Sequence, residues 1–299
     1  MADNRRTTVL SLVLLLALFG VGAVLSARLI VGDGIPTFSD RVAVLPVEGT
    51  IASEEPVLEA LEAFRSDRSV RAFVLEIDSP GGAVGASQAI FRALRELRDS
   101  EDRPIVAWMG DVAASGGYYV ALAADSIFAL PGSITGSIGV IMEFPNAEEL
   151  LRKVGIGWEV VKSGEHKDMG SPAHPLAPED REILEGVVRD VHEQFVEAVA
   201  ENRPLDRQTV AALADGRIFS GRQAVELRLI DRIGTLDDAI DAAGRMAGIG
   251  EDPPTTRPQE PRIGLFDLIF GVSESQARRL LTNVLPAPGG PPRLRYEWK

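Results

Sequence analysis

Pro104-Ile105-Val106-Ala107-Trp108-Met109-Gly110-Asp111-Val112-Ala113-Ala114-Ser115-Gly116-Gly117-Tyr118-Tyr119 is the stretch that decides the fold. Its apolar first part, to Met109, reads as a buried strand. Tyr118 to Ala124 reads as a helix. Ser115 therefore sits at a strand-to-helix turn, between two alanines and two glycines. Small residues there let another backbone or a substrate approach closely. A serine at a helix start sees the positive end of the dipole, and the amide after it is a spare donor. Such a turn suits a nucleophile and half of an oxyanion hole. It equally suits a helix N-cap serine in a glycine-rich turn.

Working outward, the same unit repeats. Arg41 to Val47 reads as a strand and Glu54 to Arg65 as a helix. Val70 to Ile77 is the next strand, followed by Asp78-Ser79-Pro80-Gly81-Gly82 and a helix over about Val84 to Arg98. Strand, glycine loop, helix, strand predicts an α/β fold with a mainly parallel sheet. The paired glycines read as the opening of that helix, with amides in the crevice at the strand ends. For phosphate the signal is weak, since GxGxxG and a P-loop lysine are lacking. For an oxyanion donor it fits, because glycine lets backbone approach a carbonyl.

Further on, Ser126 to Pro131 reads as a strand, and Gly132 to Val140 as a small-residue loop leading into another. Asn146 caps a helix through Leu151, and Trp158-Glu159-Val160-Val161 reads as a strand. A polar loop, Lys162 to Pro172, follows. Residues 178–201 form the longest expected helix, with Pro178 at its start and Glu179 and Asp180 in its first turn. Shorter helices are expected around Ala224 to Leu227 and from Leu236 to Met246.

The two ends differ from this core. Val9 to Leu25 is a 17-residue apolar run, at the short end of a bilayer span. Arg5 and Arg6 before it, against Arg28 after it, orient the N-terminus to the cytoplasm. A cleaved signal peptide is the other reading of the same run, and both leave the remaining chain outside the cytoplasm. Residues 1–31 are thus expected to be cytoplasmic N-terminus and anchor, 32–40 a linker, and 41–250 the folded domain. Residues 251–299 combine a Pro-rich linker, an amphipathic segment from Leu265 to Leu285 and a Pro-rich tail, expected to be mobile or docked in a groove.

Composition narrows the chemistry. The chain of 299 residues has a net charge of −13, which argues against nucleic acid as a partner. It has no cysteine, which removes thiol nucleophiles and thiolate metal sites. No metal or other cofactor is expected. A serine nucleophile still needs a base, and the candidates are few. Of the three histidines, His166 lies in the Lys167 loop, His174 between alanine and proline, and His192 beside the apolar stripe of the long helix, where it reads as structural. None has an obvious acid partner at a strand end. The four lysines are Lys153, Lys162, Lys167 and Lys299. Lys153 follows an amphipathic helix and Lys299 ends the chain, which leaves Lys162 and Lys167. A lysine base must be neutral, and desolvation favours that form.

Four motifs in order resemble one family: Asp78-Ser79-Pro80-Gly81-Gly82, Ala114-Ser115-Gly116-Gly117-Tyr118-Tyr119, Thr135-Gly136-Ser137-Ile138-Gly139 and Ser163-Gly164-Glu165-His166-Lys167-Asp168. Behind an N-terminal anchor, over about residues 40–250, they are similar to the short, single-domain signal peptide peptidase A family of the Clp-protease/crotonase superfamily. The resemblance implies repeated ββα units and a Ser-Lys dyad, with Ser115 as nucleophile and Lys167 as base. It implies oxyanion donors at Gly82 and Gly116, and a hydroxyl at Ser137 that orients the lysine. Lys162 is then a strand-end lysine with a solvated head. The resemblance further implies a ring- or dome-shaped homo-oligomer in the inner membrane, its dyad shared between neighbouring protomers on the extracytoplasmic side. Its expected substrates are remnant signal peptides. A stomatin-partnered Ser-Lys protease, a crotonase-type acyl-CoA enzyme and an inactive scaffold are the competing readings. The C-terminal segment has no counterpart in the resemblance, and it is expected either to dock in the substrate groove or to be trimmed by the enzyme.

Overall fold

Continuous apolar runs, rather than alternating ones, make the centre of the sheet, as expected for parallel strands buried on both faces. The computed structural model describes residues 39–258 and 295–297, and the expected anchor at residues 9–25 lies outside them. Among the described residues no helix is long and apolar enough to cross a membrane. β1 (Arg41–Glu48), β2 (Val70–Ser79) and β4 (Ile105–Ala114) pair in parallel, with Val44 opposite Val74 and Val74 opposite Val106. β3 (Gly81–Ala83) lies outside this sheet. The far side of β4 is divided: Val106 to Met109 pair with β5 (Ser126–Ala129), and Val112 to Ala114 with β6 (Ile134–Gly136). β7 (Ile218–Ser220) closes that edge antiparallel to β6, β8 (Arg232–Ile233) pairs with β5, and β9 (Thr255–Thr256) with β1.

Alternation assigns the two faces of the sheet. Leu45, Leu75, Ile77 and Ala107 point into the larger core, against α2 (Val84–Ser100), α3 (Gly116–Ala121) and α5 (Pro178–Asn202). Val42, Val44, Val74 and Val106 point the other way, onto α8 (Leu236–Met246), whose Ala239, Ala242 and Ala243 let it pack closely. The remaining helices are α1 (Glu55–Arg65), α4 (Glu148–Lys153), α6 (Arg207–Leu213) and α7 (Gly221–Glu226).

The α/β expectation holds, and several local ones need correction. Gly81 and Gly82 do not open a helix. They form β3, and α2 starts only at Val84. The reason is a distant strap: Ile51 N–H donates to Gly81 O (2.8 Å) and Ala83 N–H to Ile51 O (2.7 Å), which holds the glycines extended. Trp158 to Val161 form no strand, since no sheet edge reaches them, and Trp158 and Val161 are exposed. α6 is a helix that the pattern did not announce. Its Asp206 accepts from Thr209 N–H at 2.8 Å, an N-cap on a segment too short to show periodicity. In the C-terminal tail, β10 (Arg295–Glu297) pairs antiparallel with β3, placing Tyr296 opposite Gly82.

Candidate active site

Ser115 lies between the end of β4 and the start of α3, as the sequence implies, but not as a cap. Its side chain makes no capping hydrogen bond, which rules out the N-cap alternative. Its backbone stands at φ 52° and ψ −115°, a conformation that a residue with a Cβ adopts at a cost of about 1–3 kcal/mol. That strain is held by tertiary structure. Ser115 N–H donates to Gly136 O and Tyr119 N–H to Ser115 O, both at 2.8 Å. Tyr118 and Tyr119, buried behind it, anchor α3 through the Tyr118 hydroxyl on Leu229 O (2.9 Å) and Tyr119 against Phe91 and Phe195 (both 5.0 Å). Burial raises the pKa of both phenols, so they stay neutral.

The two glycine sites meet at this serine. A Cβ on Gly116 would lie 2.6 Å from Ser87 Oγ and 3.2 Å from the Gly82 nitrogen, so only glycine lets the start of α3 touch β3. Gly117 is similarly confined, 2.9 Å from Ser79 O. Ser79 shapes the turn into β3, donating to Gly49 O (2.6 Å) and accepting from Gly81 N–H (3.1 Å). Because Gly81 O and Ala83 N–H both face Ile51, strand alternation turns the Gly82 amide to the opposite edge. That edge is where β10 lies. Ser137 flanks the site from β6. It is nearly buried, has φ 51°, and its N–H donates to Arg217 O at 2.8 Å. It also lines a cavity of about 510 Å³ together with Val140, Ile141, Val188 and His192. His192 Nε2 bonds to Ala214 O at 2.8 Å, a structural role as expected.

Lys167 is not hydrogen-bonded to this cluster. It lies in a 3₁₀ turn, Glu165–Asp168, is exposed, and its Nζ makes no hydrogen bond or ion pair with the described residues. No described side chain bonds to the Ser115 hydroxyl. Lys162 is exposed, as the sequence suggests, but it ends no strand and its head is tied. Its Nζ donates to Glu165 O (2.7 Å) and to Asp168 Oδ1 (2.6 Å). That bond, aided by Lys162's charge, holds the Asp168 carboxyl below the usual carboxylate range. His174 Nδ1 donates to Pro175 O (3.0 Å) and its Nε2 lies 3.3 Å from Asp168 Oδ2, contacts that raise its pKa. Nor are the histidines without acid partners: His166 Nδ1 donates to Asp180 Oδ1 at 2.6 Å. Fourteen residues separate that pair, beyond the reach of a local sequence pattern.

Residues 97–250 match the profile of peptidase family S49. A protein of Synechocystis sp. described as a protease, slr0021, is 44% identical over 214 residues, covering 71% of this chain and 76% of that one. A protein of Enterococcus faecium described as signal peptide peptidase SppA is 40% identical over 215 residues, covering 68% of this chain and 62% of that one. A mutant of the membrane-bound stomatin-specific protease 1510-N superposes with a TM-score of 0.49 at 14% identity, over 74% of this chain and 99% of that chain.

Proposed function

The chain belongs to peptidase family S49 and is a serine peptidase, and from that premise we propose a membrane-anchored endopeptidase that uses Ser115 and Lys167 to cleave remnant signal peptides. The observation that carries the reading is the geometry at Ser115. A strained serine stands where two glycine backbones, Gly82 and Gly116, come within van der Waals contact. In this reading the neutral Lys167 amine takes the Oγ proton as Oγ bonds to the scissile carbonyl carbon. The carbonyl oxygen becomes an oxyanion and accepts from the Gly82 and Gly116 N–H groups. The C–N bond then breaks, and the ammonium of Lys167 returns its proton to the leaving amine. Water, deprotonated by Lys167, then bonds to the acyl carbon, the C–Oγ bond breaks, and the Lys167 ammonium returns its proton to Oγ. Ser137 would hold the lysine in line.

Two further features support the reading. β10 already lies as an antiparallel strand on β3, so this edge accepts a peptide backbone in extended form. Ser115 is 1% exposed, and Lys167 is exposed and makes no hydrogen bond or ion pair with the described residues, as suits a dyad assembled from two protomers. Around Lys167 the segment also leaves Leu150, Val154, Ile156 and Trp158 exposed, an apolar surface for the neighbouring copy to cover. The anchor expected at residues 9–25 would hold the assembly where cleaved signal peptides lie.

The test is kinetic and covalent. A peptidyl phosphonate should label the enzyme at Ser115 and nowhere else, and Ser115→Ala and Lys167→Ala should each abolish cleavage of a fluorogenic peptide. Labelling at another serine, or a fully active Lys167→Ala enzyme, would overturn the assignment.

A further inference from the structure

Asp180 is an uncommon carboxylate in this molecule. Among the described residues only Asp180 and Arg203 are charged and buried. Arg203 is matched by Asp231, with two hydrogen bonds of 3.0 and 2.8 Å. Asp180, 6% exposed, has no lysine or arginine partner among the described residues. The first turn of α5 lends it the favourable end of the helix dipole, but burying a carboxylate remains costly. What it holds is His166, at 2.6 Å, the residue immediately before Lys167.

The residue immediately after Lys167 is held as well. Asp168 takes Lys162 Nζ on one oxygen at 2.6 Å and lies 3.3 Å from His174 Nε2 on the other. Pro172 O accepts from Ala147 N–H (2.7 Å), and the Phe144 ring lies where a Cβ on Gly170 would be, so the loop is braced along its length. Both neighbours of Lys167 are thus fixed, while Lys167 itself has no partner among the described residues.

We propose that Asp180 is a positioning residue, which through His166 fixes the direction in which Lys167 leaves its turn and so its approach to the serine. This rests on Lys167 being the base. A misplacement of about 1 Å at a reacting group can cost on the order of 10²-fold in rate.

The test uses the full-length enzyme and a fluorogenic peptide, with Lys167→Ala as the inactive reference. Asp180→Ala and His166→Ala should each lower kcat by about 10- to 100-fold with KM within about twofold. The double variant should lose no more than either single one, because both remove the same contact. Asp180→Asn, which keeps an oxygen acceptor for His166 Nδ1–H, should recover most of the rate. Where Asp180→Ala does not fold, His166→Ala and Asp180→Asn decide the matter. Single variants within twofold of the parent beside an inactive Lys167→Ala would overturn the positioning role alone, as would losses that multiply in the double variant. An inactive His166→Ala beside an active Lys167→Ala would overturn the base assignment, leaving the histidine–carboxylate pair as the base.

Discussion

The two walls of the proposed site are built by opposite means. The serine wall is made of core: β4, β3 and α3 are packed so tightly that Gly82, Gly116 and Gly117 have no room for a methyl group. The lysine wall, from Ile141 to Pro175, has one two-turn helix and one 3₁₀ turn, and it shows Leu150, Ile156, Trp158 and Val161 to solvent. One wall takes its shape from burial within the chain, the other from polar ties around Lys167. Strain at Ser115 is sustained by the sheet behind it, whereas the lysine segment exposes apolar surface that a second copy of the chain would cover.

The chemical groups themselves carry the most activity. Ser115→Ala and Lys167→Ala should each lower kcat by about 10³-fold or more, whereas Lys162→Ala should cost far less, since Lys162 acts through Asp168. Steady-state kinetics on one peptide separates the three. Next comes the tight wall alone. Gly116→Ala places a methyl group 3.2 Å from the Gly82 nitrogen and 2.6 Å from Ser87 Oγ, and should cost about 10²–10³-fold in kcat by spreading the two amides. A crystal structure of that variant would show β3 displaced from α3. The open wall is tested by Trp158→Glu, which puts a charge on the apolar surface. It should shift the oligomer toward monomer in native mass spectrometry and lower activity in proportion, by about tenfold at micromolar protein.

The smallest effect concerns pH. His174 has a raised pKa, so its tie to Asp168 is fully present below the ordinary histidine value and is lost as pH rises through the raised one. Asp168 is depressed, so its contribution is present above the ordinary carboxylate value and is lost as pH falls through the lowered one. His174→Gln should therefore loosen the segment at mildly acidic pH and leave it unchanged at pH 9, where Lys162 alone holds Asp168. Amide exchange of residues 165–174 at the two pH values reads this directly.

Most of the tight wall was legible in the sequence, because burial writes itself into composition. The apolar runs of β1, β2 and β4 are continuous, and the serine stands among small residues at a strand end. What escaped depends on distance. Two glycines suit a helix start or an extended strand equally well, and only Ile51, some 30 residues earlier, decides for the strand. Trp158 to Val161 have strand-like residues but no edge to join. The pairs His166–Asp180 and Lys162–Asp168 are side-chain meetings across a loop, without the periodicity of a helix or strand. The left-handed φ at Ser115 is invisible in composition, although two alanines and two glycines around one serine signal that something there needs room.

In the proposed dyad the serine wall and the lysine wall come from different chains. Full-length Ser115→Ala and Lys167→Ala enzymes, each inactive, would be mixed, dissociated and reassembled, with mixed oligomers verified by native mass spectrometry. If the site is shared, the mixture regains activity, up to about a quarter of the parent rate for random pairing of neighbours in a closed ring. Verified mixed oligomers that stay inactive would contradict the claim and place serine and base within one chain.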